Sequence, residues 1–233
     1  MDNIRLDNYS FNNNYTMYRV DSIESTNDFF KANYALFKDK DCLVAKKQTK
    51  GRGRYNRVWT SSDDVLFSIL FRKKHNNTII APMAVCLALR DIGINAGIKW
   101  PNDVYVDFKK ICGILIEDEY KLDFEASIVG IGLNMYSKES LDVPGVLDYA
   151  KIGNDQLIDL ILNHYDILIN TNPLALIHQY QELSIILNHK FNYKGKIYEA
   201  IRITGDGYLV GRSDEEEITI KSDEIDIKSA LVL

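Results

Sequence analysis

Ten consecutive residues, Lys50-Gly51-Arg52-Gly53-Arg54-Tyr55-Asn56-Arg57-Val58-Trp59, hold three guanidiniums, two glycines and an indole. A guanidinium is planar, permanently charged and able to grip a phosphate or carboxylate through two parallel hydrogen bonds. Gly51 and Gly53 let the main chain come close to such an anion. Three readings fit the cluster: a solvated basic turn, a nucleic-acid patch in which Tyr55 and Trp59 stack on bases, and a nucleotide site. It is not a P-loop, because no Lys-Ser or Lys-Thr follows the glycines. Nor is it a dinucleotide fingerprint, which needs three spaced glycines between a strand and a helix. A phosphate held here is held mainly by side chains and loop amides.

Four other places carry polar chemistry. Glu24-Ser25-Thr26-Asn27-Asp28 offers helix-capping residue types ahead of Phe29 and Phe30. Capping uses one or two of them and leaves the others to bind a ligand. Asn102 and Asp103 follow Pro101, where they serve either as a turn or as a carboxylate set at a strand end for a metal or polar ligand. Lys109 and Lys110 open an apolar run, from which a lysine either snorkels to water or points a charge into a cleft. Gly113 inside that run suggests a close approach by backbone or ligand. Asn134 closes the apolar run after Gly130 and needs partners for its amide, for which a purine edge is suitable.

Composition narrows the field. With 233 residues, 46% hydrophobic and 26% charged, the chain is long enough for a substantial core plus a small appendage. A net charge of -5 weighs against a general nucleic-acid binder, which needs a basic footprint beyond residues 46–57. Cys42, Cys86 and Cys112 lie in separate apolar runs and read as buried reduced thiols, which suits a cytoplasmic protein. No signal peptide or membrane-length apolar run is apparent. His75, His164, His178 and His189 lack metal-ligand spacing, and no Gly-x-Ser-x-Gly or Cys/His nucleophile pattern appears.

The elements that must position these groups follow from periodicity. Residues 1–16 read as a loosely held arm. Residues 17–23, 41–48, 65–71, 98–104, 109–117 and 124–134 read as strands, with 41–48 and 65–71 paired across the arginine loop. Residues 78–94 read as a buried helix with Pro82 in its first turn. Residues 136–153 lack a period and read as a mobile loop, and 157–168 and 173–187 as helices. Period-two patterning then marks hairpins through Ile201, Ile203, Ile218, Ile220, Ile225 and Ile227.

Taken in order, five blocks closely resemble the biotin protein ligases. They are Ser25-Thr26-Asn27; Gln48 with Gly51-Arg52-Gly53-Arg54, Arg57 and Trp59; Lys99-Trp100-Pro101-Asn102-Asp103; Lys110 with Gly113-Ile114-Leu115-Ile116-Glu117; and Gly130-Ile131-Gly132-Leu133-Asn134. Each block alone is weak, but five in sequence across residues 17–135 are specific. The resemblance implies an α+β fold: a central mixed β-sheet flanked by helices, shared with class II aminoacyl-tRNA synthetases, and a small C-terminal SH3-like β-barrel. The implied boundary is residues 1–188 for a catalytic domain and 189–233 for the small one.

The implied activity has two halves: biotin and MgATP form biotinyl-5′-AMP, and a lysine of a biotin carboxyl carrier domain then takes the biotin. The pattern begins near residue 17, so no DNA-binding domain is expected, and neither is a membrane partner; the chain is expected as a monomer or homodimer. By resemblance, Ser25, Thr26 and Gln48 hold the ureido ring, with Asn27 and the backbone of Gly113 and Gly130 beside it. Lys110 sits on the reacting carboxylate and α-phosphate. Arg52, Arg54 and Arg57, on the loop of Gly51 and Gly53, clamp the phosphates. Asp103 holds Mg²⁺ or orients the amine, Asn134 reads adenine, and Trp59 forms the nucleotide wall or packs behind the loop.

Two departures refine these expectations. Asn56 stands where these ligases commonly have glycine, a replacement that is tolerable if the position is left-handed. No tryptophan occurs in residues 136–150, so Leu147 or Tyr149 is expected to cover adenine. The arginine loop is expected to be mobile until an anion offsets its like charges. A lipoate ligase is the nearest alternative, although its Arg-Arg-x-Ser-Gly-Gly-Gly run is missing. A non-catalytic sensor would have lost Lys110 or the arginines.

Overall fold

The computed structural model describes residues 5–7, 14–59, 63–221, 223 and 225. Strands β1 (Arg5–Asp7), β2 (Thr16–Ile23), β3 (Asp41–Gln48), β4 (Val65–Phe71), β5 (Gly97–Lys99), β6 (Asp103–Val106), β7 (Lys109–Tyr120) and β8 (Phe124–Leu133) form one sheet. Their spatial order is β1-β2-β3-β4-β8-β7-β6-β5. The β2–β3 pair is parallel and joined through helix α1 (Thr26–Asn33); the other pairs are antiparallel. The sheet is therefore mixed, as expected.

Strand periodicity divides the sheet into two faces. Val65, Phe67, Ile69 and Phe71 of β4 join the large core, together with helices α2 (Asn77–Asp91), α3 (Asn154–Ile169) and α4 (Pro173–Leu183). Leu43, Ala45, Leu70, Ala126 and Ile128 face the other way, onto Phe30 of α1 in a smaller cluster. α2 is buried on nearly every side because it lies between the sheet and α3, which explains its lack of an amphipathic stripe. The three cysteines are buried free thiols. No helix among the described residues is long and apolar enough to cross a membrane.

A second, antiparallel sheet contains β9 (Lys190–Tyr193), β10 (Lys196–Ile203), β11 (Leu209–Arg212) and β12 (Glu217–Ile220). Phe191, Tyr198, Ile203, Leu209 and Ile220 pack into the same large core as α2. The Trp100 indole N–H donates to Gly207 O at 2.8 Å, and Ile203 N donates to Gln181 Oε1 at 3.0 Å, so polar contacts also join this sheet to the turn after β5 and to α4.

Several local expectations are corrected. Arg5–Asp7, expected in a loose arm, pairs with β2 as an edge strand. α2 begins at Asn77, so Pro82 lies beyond the first turn and removes an internal N–H donor. Residues 136–149 fold into short 3-10 turns, with Val146 N donating to Asn134 O and Leu147 N to Met135 O. Ile225 is buried outside any described strand, while Ile227 lies outside the described residues.

Candidate active site

The site lies on the α1 face of the sheet, over a floor kept low by glycines. Gly113 of β7 pairs with Gly132 of β8, and Gly130 is the next residue of β8 on that face. A Cβ on Gly130 would come within 2.2 Å of Asn27 Oδ1; one on Gly132 would lie 2.6 Å from the Trp59 ring, and one on Gly113 2.9 Å. The bare strands thus let α1 and the indole rest directly on the sheet. Gly113 and Gly130 were legible as places of close approach; Gly132 was not singled out.

Above this floor stands a neutral hydrogen-bonded wall. Ser25 caps α1, its hydroxyl accepting from Asp28 N at 3.2 Å. Gln48 Oε1 accepts from Thr26 N at 2.7 Å and lies 3.1 Å from Thr26 Oγ1. Ser68 Oγ lies 2.7 Å from Thr26 Oγ1 and donates to Asn27 Oδ1 at 2.6 Å. Asn27 Nδ2 donates to Leu115 O at 3.2 Å and Glu117 Oε2 at 3.0 Å. Ser25, Thr26, Asn27 and Ser68 are all buried, so the wall is pre-organised. Ser68 was missed by sequence reasoning; its signal is a lone hydroxyl inside the apolar strand VLFSILF.

The cations divide by the company they keep. Arg52 is engaged by carboxylates: Nε donates to Asp28 Oδ2 at 3.0 Å, and Nη2 donates to Asp28 Oδ1 and to both oxygens of Glu117. Hydrogen bonding to Asp28, then to Glu117, raises the Arg52 pKa further. Burial pushes Glu117 upward, but hydrogen bonds from Asn27 and Arg52 and the charges of Arg52 and Lys31 outweigh it, holding the carboxyl below its ordinary value. Arg52 therefore braces the loop against α1 and β7, with its charge already compensated.

Arg54 donates to Asn102 Oδ1 at 3.1 Å and to Tyr55 OH at 3.1 Å. Arg57 is exposed at the cavity mouth. Lys110 Nζ lies 2.8 Å from Asp103 Oδ1 and 5.7 Å from the centre of the Trp59 ring. Lys138, also missed, pairs with Asp64 at 2.6 Å and lies 5.8 Å from the same ring. Trp59 Nε1 is buried with no hydrogen-bond partner among the described residues. The left-handed backbone of the arginine loop falls on Tyr55 (φ 55, ψ 36), one residue before the expected Asn56. Gly53 N donates to Arg57 O and Trp59 N to Gly51 O, each at 2.8 Å, closing the loop on itself.

These groups enclose a cavity of about 390 Å³, within the usual range for small-molecule sites. Apart from the adenine cover, every ligand-binding or catalytic residue expected from the sequence lines it except Gly51, which is buried beneath the Trp59 carbonyl. The loop residues reaching the cavity are Leu141 and Val143, in place of the expected Leu147 and Tyr149. Leu147 packs against the core, and Tyr149 donates to Asp107 Oδ2 at 3.0 Å. Ile225, beyond the second sheet, also lines the cavity. No group of three His, Cys, Asp or Glu side chains among the described residues is placed to hold a metal.

Comparison with known proteins matches residues 19–134 to the biotin/lipoate A/B protein ligase family. Those residues, just under half of the chain, belong to that family. Within it, the bifunctional ligase/repressor BirA of Bacillus subtilis is 39% identical over 115 residues, covering 45% of this chain and 35% of that protein. The Homo sapiens biotin–protein ligase is 32% identical over 108 residues, covering 40% of this chain and 15% of that one. The chain thus spans about a third of the first relative's length and less of the second's. The fold matches biotin protein ligase from Aquifex aeolicus in complex with biotin and ATP, with a TM-score of 0.73 at 23% identity, over 90% of this chain and 97% of that one. The Leishmania major ligase in complex with biotinyl-5-AMP gives 0.63 at 21% identity, over 88% and 98%.

Proposed function

We propose that this protein is a biotin protein ligase, joining biotin to ATP and transferring it to a lysine of a biotin carboxyl carrier domain. The observation that carries the reading is the polarity of one cavity: Ser25, Thr26 and Gln48 line its neutral end, braced from behind by Ser68, while Lys110 and Arg54 stand at its cationic end. A urea is flat and neutral and both donates and accepts, matching the neutral end. A dithiolane offers none of those groups, so lipoate would leave the buried hydroxyls and amides unmatched, a strong basis for rejection. The relatives' biotin and ATP complexes support the same reading.

In the first half-reaction the biotin carboxylate oxygen attacks the α-phosphorus of ATP, the bond to the bridging oxygen breaks, and pyrophosphate leaves. Two anions must meet for this, and Lys110 and Arg54 supply fixed positive charge where they do, the electrostatic contribution expected to dominate. In the second half the neutral amine of the acceptor lysine attacks the acyl carbon, AMP leaves, and the amine loses its proton. Asp103, beside Lys110, is placed to orient that amine. Arg57 reaches the outer phosphates, Asn134 the nucleobase, and Trp59 the nucleotide wall.

Mg²⁺ enters with ATP as substrate. An ion of this kind is commonly held by one or two carboxylates and the phosphates themselves, and Asp103 is the carboxylate this wall offers. We assign residues 1–188 to the catalytic domain and 189–233 to the small domain, a division supported by the start of β9 at Lys190. The decisive test is biotin-dependent exchange of labelled pyrophosphate into ATP, run beside lipoate. Exchange with biotin alone is the expected result; exchange with lipoate alone, or with neither, overturns the proposal.

A further inference from the structure

Asp64 immediately precedes β4, and Lys138 follows Asn134 by four residues. The pairing of Val65 with Leu133 brings the two segments together. Lys138 Nζ donates to Asp64 Oδ2 at 2.6 Å and to Asn134 Oδ1 at 2.9 Å, while Asp64 Oδ1 accepts from Met135 N at 3.2 Å. The lysine side chain is 11% exposed and the aspartate 0%. Buried charges are tolerated when each is paired and hydrogen-bonded, and both conditions hold here.

The arrangement has a consequence for Asn134. An ammonium group only donates, so the amide atom facing Lys138 must be the oxygen. The other half of the amide is then a pure donor. Asn134 is 3% exposed and lines the cavity, and its Nδ2 finds no acceptor among the described residues. A ligand that displaces water from this wall must bring an acceptor to Nδ2 or leave a buried N–H unpaired, the costly outcome.

We propose that Lys138, anchored by Asp64, is a positioning residue that holds Asn134 with its NH₂ toward the cavity. It thereby makes the site select a nucleobase presenting a bare ring nitrogen there. The proposal rests on the nucleotide reading above and adds to it a determinant of base choice. Adenine presents such a nitrogen at N1 and at N7. Hypoxanthine carries a proton on N1, and 7-deazaadenine has a C–H in place of N7. With Lys138 gone, the amide is free to turn and offer its oxygen, so discrimination at that nitrogen should collapse.

The test is calorimetric titration of ATP, ITP and 7-deaza-ATP into biotin-saturated protein, for the wild type, Lys138→Met, Lys138→Arg and Asn134→Ala. In the wild type, at least one analogue should bind about tenfold more weakly than ATP, the loss of about one hydrogen bond. Lys138→Met should shrink that penalty to less than about threefold, Lys138→Arg should retain it, and Lys138→Met should add nothing in the Asn134→Ala background. If Lys138→Met does not fold because buried Asp64 loses its ammonium partner, the double change Lys138→Met with Asp64→Asn removes both charges and carries the same expectation.

Equal binding of all three nucleotides to the wild type, no binding of ATP, or a penalty unchanged by loss of Lys138 overturns the proposal. Discriminating binding without biotin-dependent exchange would sink the ligase reading and leave this one standing. Exchange without discrimination would do the reverse.

Discussion

Lys110 and Asp103 face each other across the β6–β7 hairpin, Nζ to Oδ1 at 2.8 Å, with the Trp59 ring 5.7 Å from the ammonium. The pair fixes where the charge stands before any substrate arrives, which is what electrostatic pre-organisation requires. Replacing Lys110 by Met should reduce biotin-dependent pyrophosphate exchange by at least about 10²-fold while leaving the urea midpoint close to that of the parent. Exchange within about threefold of the parent would remove Lys110 from the reaction.

Arg52 and Arg54 are two residues apart yet should fail differently. Arg54→Gly loses hydrogen bonds to Asn102 and Tyr55 at the cavity wall, and the fold should survive while the activated intermediate escapes early. The readout is labelling of bystander lysines, which should rise in the variant. Arg52→Ala removes the guanidinium from Asp28 and Glu117, the latter keeping Asn27 and Lys31, and should lower stability by about 1–2 kcal/mol, a figure discounted because Asp28 is 44% exposed. Denaturant unfolding of both variants checks the contrast, and equal midpoints would contradict it.

Glu117 gives this site an acid limb. Its folded carboxyl lies below the ordinary value of 4.5, so its contribution to stability is fully present above 4.5 and is lost as the pH falls through the lower folded value. Glu117→Gln should therefore cost stability near neutral pH and flatten the acid-side decline below pH 4.5. Urea midpoints across that window, parallel in the two proteins, would show that Glu117 is not responsible.

Gly130→Ala should push Asn27 away from the sheet, since the new Cβ would fall 2.2 Å from Asn27 Oδ1. Asn27 also bonds Ser68 and Leu115 O, so the neutral wall should be disturbed as a unit. The expected cost is about 1–3 kcal/mol in stability together with weaker biotin binding, measured by unfolding and by calorimetry. Unaltered biotin affinity would separate Asn27 from the ligand.

Much of this was legible because the informative groups are contiguous. The arginine loop, the Trp100-Pro101-Asn102-Asp103 turn and the Gly130–Asn134 tract each announce themselves within a few residues, and strands β3 and β4 follow from apolar periodicity on either side of the loop. Partnerships made by sheet pairing were harder to foresee. Ser68 is one hydroxyl in an apolar strand, and Asp64 and Lys138 are ordinary charges until β4 and β8 align. Arg52 illustrates the limit: its type said anion, but only the fold shows that Asp28 and Glu117, 24 and 65 positions away, already hold it. Tyr55 adopting the left-handed turn in place of Asn56 was also beyond residue preference, because closure of the loop between Arg52 and Val58 decides it.

The indole of Trp100 bonds Gly207 in a turn where that glycine has φ +82, and Ile225, five residues past β12, lines the cavity. A chain stopped after α4 would leave a buried donor stranded and open one flank of the chamber to bulk solvent. Swapping in a foreign terminal module would succeed only if it reproduced that carbonyl at that spot, so the two halves of this molecule must be inherited, and engineered, together.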